Sequence, residues 1–151
     1  MAGSGALRVE ATERALAELE AMAGPLDLHD FLCYARLAEA LPEGRRAPVL
    51  SRLLADLPRT VERDPARWRT YGARPLTLAP TPDSPFAPAL ADAIEINLDF
   101  EIERQAADGS WRPNWSWADA YPDAWRKAER EWAGALTVAT LRSLKAYGRL
   151  A

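Results

Sequence analysis

The sequence predicts an all-α fold of antiparallel helical hairpins with about five or six helices. Apolar residues recur at three- and four-residue spacing over long stretches, which is the period of a helix with one buried face. Capping residues and Gly-Pro stops bracket those stretches. Strand signals are nearly absent: "PLTLA" at 75–79 is the single, short candidate.

The first helix spans 7–23, with Val9, Leu16, Leu19 and Met22 at helical spacing and Gly24-Pro25 as its stop. The second starts after Asp27, a good N-cap, and runs to about Leu41. Phe31, Cys33, Tyr34, Leu37, Ala38 and Leu41 cover most of its circumference, so it is expected to pack on more than one side. "PEGRR" connects it to a third helix over 46–63, whose inward residues are Val49, Leu50, Leu53, Leu54, Leu57 and Val61. Pro58 lies inside that pattern and is expected to kink or break it.

Residues 64–86 hold five prolines and one glycine, together with Trp68, Tyr71, Leu76, Leu78 and Phe86. A connection this long and this apolar is expected to be either functional or packed as an ordered loop, and not a solvated linker. Ser84 then caps a fourth helix, Pro85 takes its first position, and the helix runs to about Ala107. At 100° per residue, Leu90, Ile94, Leu98 and Ile102 form one apolar flank, and Ala93, Ile96 and Phe100 form another. Asp92, Glu95, Asp99 and Glu103 form a polar stripe, and Asn97, Glu101 and Arg104 form a narrower one between the flanks. Asp108-Gly109 ends the helix and a tryptophan-rich loop follows. The last helix covers 122–147, anchored by Trp125, Trp132, Leu136, Leu141 and Leu144, with Gly148 as its stop.

A chain of 151 residues suffices for one domain with a real core, expected over 6–151, behind a flexible leader at 1–5. The net charge of −3 is small, and arginines are interspersed with acids, which argues against nucleic acid as a partner. One cysteine and one histidine exclude an intrachain disulfide and argue against a zinc site or any other metal centre. No cofactor is implied. There is no apolar run of membrane-spanning length and no signal sequence, so the expected location is cytoplasmic.

The run "RQAADGSWRPNWSW" places three of six tryptophans within seven positions. Within it, Gln105, Gly109 and Trp111 stand in the order Gln-x3-Gly-x-Trp. This resembles the QW motif of squalene–hopene cyclases and related terpenoid cyclases, and the repeats of protein prenyltransferase β-subunits. In those families the motif ties one helix end to the next inside an α/α toroid, with the glutamine capping a helix end and the tryptophan stacking on it. Further along, "YPDAWRKAEREWAG" and "LRSLKAYGR" are similar to the C-terminal part of bacterial squalene cyclase-like or prenyltransferase-like proteins. The resemblance implies that the chain forms a partial toroid, about half of a complete one. The Asp-x-Asp-Asp acid of class II cyclases is missing, as is a convincing Asp-Cys-His zinc set. The resemblance therefore carries no catalytic residue with it, and whether the chain is an enzyme stays open.

Each candidate site has a functional and a structural reading. His29 and Cys33 share a helix face, either as a metal or nucleophile pair or as a packed cysteine beside a helix-start histidine. The stripe Asp92, Glu95, Asp99 and Glu103 could hold Mg²⁺ or be a solvated face. Asp83 is a capping residue or an acid. Asn97, Glu101 and Arg104 are expected to be at least partly buried, either in an internal Glu101–Arg104 pair or facing a cavity. Trp111, Trp115 and Trp117 either anchor helix ends or line a pocket whose π faces meet a cation. With Trp68 and Tyr71, these residues make up the candidate ligand-binding set: Trp111, Trp115, Trp117, Glu101, Asn97, Trp68 and Tyr71.

Two functions follow. In the first, a non-catalytic helical module associates with itself or with a second toroid half, covering the wide apolar surfaces of the second and fourth helices. In the second, a terpenoid cyclase-like or isoprenoid-binding protein takes an apolar ligand in an aromatic-lined pocket. Within the tryptophan run, Gln105, Gly109 and Trp111 read as a staple, and Trp115 and Trp117 as the place to seek a ligand.

Overall fold

A computed structural model describes the backbone of residues 3–150 and the side chains of residues 5–150. Among these residues the protein is all-α, with six α-helices and one 3-10 turn. They are α1 (Gly3–Ala21), α2 (Leu28–Ala40), α3 (Glu43–Thr60), the 3-10 turn Pro65–Arg67, α4 (Pro75–Leu78), α5 (Ala87–Glu103) and α6 (Pro122–Ala146). They fall into two compact units, residues 1–60 and residues 61–151. The expected leader at 1–5 overlaps α1, which begins at Gly3, and its first two residues lie outside the described ones.

In the first unit, Asp27 caps α2 as its sequence position suggested, its carboxylate accepting from the Asp30 N–H at 2.9 Å. Leu41 and Pro42 turn the chain into α3, and α2 and α3 form a hairpin. Phe31, Tyr34 and Ala38 from α2 are buried, as are Val49, Leu53 and Leu57 from α3 and Leu19 from α1. Arginines complete the helix ends. Arg46 donates to the carbonyls of Ala38 and Leu41 at the end of α2, both at 3.0 Å, the first of which also accepts from the Leu41 N–H at 3.2 Å. Arg52 pairs with buried Asp56 at 2.9 Å and reaches the Gly24 carbonyl at 2.7 Å.

Several expectations are corrected here. Pro58 does not interrupt α3. The helix ends two residues later, at Thr60 rather than 63, so the N–H missing from Pro58 affects only the last turn. Cys33 is exposed, not packed. Apolar residues do cover much of α2, but its buried face is Phe31, Tyr34 and Ala38. Val9, at 59% exposure, and Leu54, at 39%, are also outside the core.

In the second unit, a parallel bridge pairs Val61 with Ala73, and the Glu62 N–H donates to the Ala73 carbonyl at 2.8 Å. Trp68, 1% exposed, fills the loop between them and donates its indole N–H to the Glu62 carbonyl at 2.8 Å. The proline-rich segment is thus an ordered loop, as its aromatic content predicts. "PLTL" is a single helical turn and not a strand. Pro75 presets the first helical φ, and the buried Asn97 of α5 accepts the Leu76 N–H at 3.0 Å. One helix therefore caps the start of another.

The helix α5 starts at Ala87 and stops at Glu103, shorter at both ends than predicted. The Ser84 hydroxyl accepts from the Phe86 N–H at 3.3 Å, so it completes the turn before the helix and not the helix itself. Leu90, Ile94 and Leu98 are buried, whereas Ile96 and Ile102 are exposed, so each apolar flank reaches solvent at one position. α6 runs opposite to α5. Thr137 meets the loop beyond the C-terminal end of α5, and Arg149, past the end of α6, binds Glu95 and Asp99 in the middle of α5 at 2.8 and 2.9 Å. Trp125 and Leu144 anchor α6, while Trp132 and Leu141 lie outside. No helix among the described residues is long and apolar enough to cross a membrane.

Candidate functional site

The site is built from the turn that follows α5. Gly109 has φ of 80°, a left-handed conformation that suits glycine. Its carbonyl accepts from the Gln105 side-chain amide at 2.9 Å. The turn closes with the Ala106 N–H donating to the Ser110 carbonyl at 2.9 Å. Trp111, 2% exposed, folds back over the helix end and donates its indole N–H to the Glu101 carbonyl at 2.8 Å. Its backbone N–H donates to the Thr137 hydroxyl of α6 at 3.0 Å. Trp111, not Gln105, satisfies the helix-end carbonyl, while Gln105 holds the loop.

Beneath this turn lies the carboxylate of Glu101, 3% exposed. One oxygen accepts from Arg104 Nε at 2.5 Å, the internal pair that the spacing suggests. The other faces Arg74 Nη2 at 3.4 Å. One buried negative charge is therefore shared by two guanidiniums. Arg74 also donates to the Trp68 carbonyl at 3.3 Å, and Arg104 to the Arg112 carbonyl at 3.2 Å. Burial lowers the pKa of Arg74 from its ordinary value. Glu101 opposes that shift, and the like charge of Arg104 adds to it.

These side chains frame a cleft of about 240 Å³ lined by Trp68, Arg69, Arg74, Phe100, Arg104, Ala106, Arg112, Pro113 and Asn114. Phe100 is its aromatic floor. The guanidinium carbons of Arg74 and Arg69 stand 5.8 and 5.9 Å from its ring centre, and Trp68 packs edge-on at 5.4 Å. On the rim, Arg112 pairs with Asp108 at 3.0 Å. The hydroxyl and N–H of Ser110 hold the Asp108 carboxyl below its ordinary pKa, and Arg112 adds to this.

The residues singled out from the sequence separate. Trp68 lines the cleft and Glu101 lies under it, whereas Asn97 serves the α4 turn. Trp111 is the staple. Trp115 stands edge-on to Tyr71 at 5.9 Å and to Trp132 at 5.6 Å. Trp117 packs on Trp125 at 5.6 Å and is 54% exposed. Asp83 is exposed. The stripe of Asp92, Glu95, Asp99 and Glu103 is exposed, and two of its members hold Arg149. Among the described residues, no three His, Cys, Asp or Glu side chains are grouped to hold a metal ion. Sequence reasoning missed Arg69, Arg74, Phe100 and Arg112 as site residues. The available signal was "RWRTYGAR" at 67–74, three arginines interleaved with Trp68 and Tyr71.

Comparisons with protein-family models, with curated proteins and with solved structures found no match.

Proposed function

We propose that the chain is a helical binding module whose site is the arginine-lined cleft, and that it takes an anionic group there. The supporting observation is the sharing of Glu101 by Arg74 and Arg104, whose side chains are only 15% and 13% exposed. Desolvated positive charge is costly unless it is matched, and Glu101 matches only one of the two guanidiniums. An anion entering from the cleft supplies the missing charge through charge-assisted hydrogen bonds. The test is thermal unfolding of the full chain in a panel of anions at constant ionic strength. Phosphate, sulfate or a carboxylate is expected to raise the midpoint above that in chloride, because a ligand of the folded state stabilises it. Equal midpoints across the panel would refute the reading.

A second reading is association with another copy or with a second toroid half. The exposed Trp132, Val138 and Leu141 of α6 support it. Light scattering should then give a mass above that of one chain, reduced by Leu141→Glu. A monomer at all concentrations would refute it. The isoprenoid reading draws on the edge-on set of Tyr71, Trp115 and Trp132, of which Tyr71 and Trp132 are exposed. It requires that Trp115→Ala abolish binding of a probe such as farnesol while the fold survives; unchanged binding would refute it.

A further inference from the structure

We propose that the anion taken by this cleft is a phosphoryl dianion, free or as a small phosphomonoester. The inference rests on the anion-binding reading above and adds the charge and shape of the ligand. Four guanidiniums, those of Arg69, Arg74, Arg104 and Arg112, line the cleft. The carboxylates paired with them are Glu101 from α5 and Asp108 from the turn, which leaves two positive charges uncompensated. Arg69 contacts the Phe100 ring and pairs with no carboxylate among the described residues. The lining side chains include no Asp, Glu, Ser or Thr. The amide of Asn114 donates to the Thr70 carbonyl at 2.7 Å, and the Trp68 indole N–H to Glu62. The donors left for a ligand are therefore guanidinium forks, whose planar N–H pairs match the oxygens of a phosphoryl group. A monoanion would leave one of the two charges unmatched. The volume of about 240 Å³ admits a phosphoryl group with a short ester arm.

The experiment is isothermal titration of the full chain with methyl phosphate, inorganic phosphate, sulfate and acetate. Methyl phosphate is a dianion at about pH 7.5 and largely a monoanion at about pH 5.5, since its second pKa is near 6. Its affinity should fall about fourfold between these conditions, the drop in the dianion fraction. Sulfate remains a dianion throughout, so its unchanged affinity shows that Glu101 and Asp108 have not altered the site. Tighter binding of methyl phosphate than of inorganic phosphate assigns an ester, and the reverse assigns the free ion. Arg69→Gln alters an exposed side chain and should weaken binding about tenfold, the scale of one charge-assisted bond. Arg126→Gln, on α6 and outside this cleft, should not change it. Acetate binding as tightly as methyl phosphate, with no pH dependence, overturns the dianion and leaves the anion reading standing. Binding of none of the four overturns both.

Discussion

The indole N–H of Trp111 donates to the main-chain carbonyl of Glu101 at 2.8 Å, on the same residue whose side chain is shared by Arg74 and Arg104. Glu101 is thus held from both sides. Its backbone is pinned by the loop, and its carboxylate is fixed by two arginines from different parts of the chain. The staple at the turn and the charge under the cleft are one construction.

Replacing Trp111 separates its two contributions. Trp111→Phe keeps most of the ring volume but leaves the Glu101 carbonyl unpaired, at a cost of about 1–3 kcal/mol. Trp111→Ala also opens a cavity and should cost about 3–5 kcal/mol. Urea denaturation followed by circular dichroism gives both values. An undiminished stability in Trp111→Phe would show that the hydrogen bond carries nothing, and equal losses for the two variants would show that the ring's packing does not.

Removing the shared carboxylate should be equally severe. Glu101→Ala leaves two largely buried guanidiniums facing one another, and breaking a buried pair in this way costs about 3–5 kcal/mol. The double change Glu101→Ala with Arg74→Leu should recover part of that loss, because the repulsion goes with the second charge. Additive losses in this cycle would contradict the coupling.

Some of this construction is legible in the sequence and some is not. The Asp27 cap, the Gly109 turn and the Glu101–Arg104 pair are local, and spacing of a few residues suffices to find them. The contact between Glu101 and Arg74 joins α5 to the end of a proline-rich loop, and helical periodicity carries no information about such a pair. "PLTLA" misleads for a related reason. Its alternating residues suit a strand, but Pro75 and the Asn97 side chain stabilise a helical turn. Cys33 and Leu141 sit at apolar helical positions yet are exposed, and Trp132 is covered only in part, by Trp115. Amphipathic pattern marks which faces can be buried, and tertiary contacts decide which are.

The turn itself can be tested at Gly109. Its φ of 80° is unfavourable for a side chain, and a Cβ there would lie 3.9 Å from the Gln105 amide nitrogen, so space is not the obstacle. Gly109→Ala should therefore cost about 1–2 kcal/mol from backbone conformation alone. Gly5→Ala, in a helix with open space around it, should cost nothing or stabilise slightly. The contrast is read from paired denaturation midpoints.

Alkaline pH should weaken the second unit through Tyr147. Its hydroxyl donates to the Ala79 carbonyl at 2.9 Å, and burial first, then the charge of Glu95, raises its pKa above the ordinary value of 10.0. The folded state thus holds this proton more tightly than the unfolded state. Its contribution is fully present below pH 10.0 and is lost as pH rises from there through the folded pKa. Tyr34 is raised in the same direction by burial and by Glu18, so it adds a parallel loss in the first unit. Tyr147→Phe should lower stability at neutral pH and flatten the alkaline fall, with Tyr34→Phe removing most of what remains. An unchanged alkaline slope in the double variant would contradict this.

The central claim is that the arginine-lined cleft of the second unit receives an anion. Its most direct test is nuclear magnetic resonance of the guanidinium Nε–H signals of the full chain during titration with inorganic phosphate. Saturable shifts should appear at Arg69, Arg74, Arg104 and Arg112, accompanied by the Trp68 indole N–H, while Arg46 and Arg52 of the first unit stay fixed. Guanidinium signals that shift together across the whole chain without saturating, or that do not move, would contradict it.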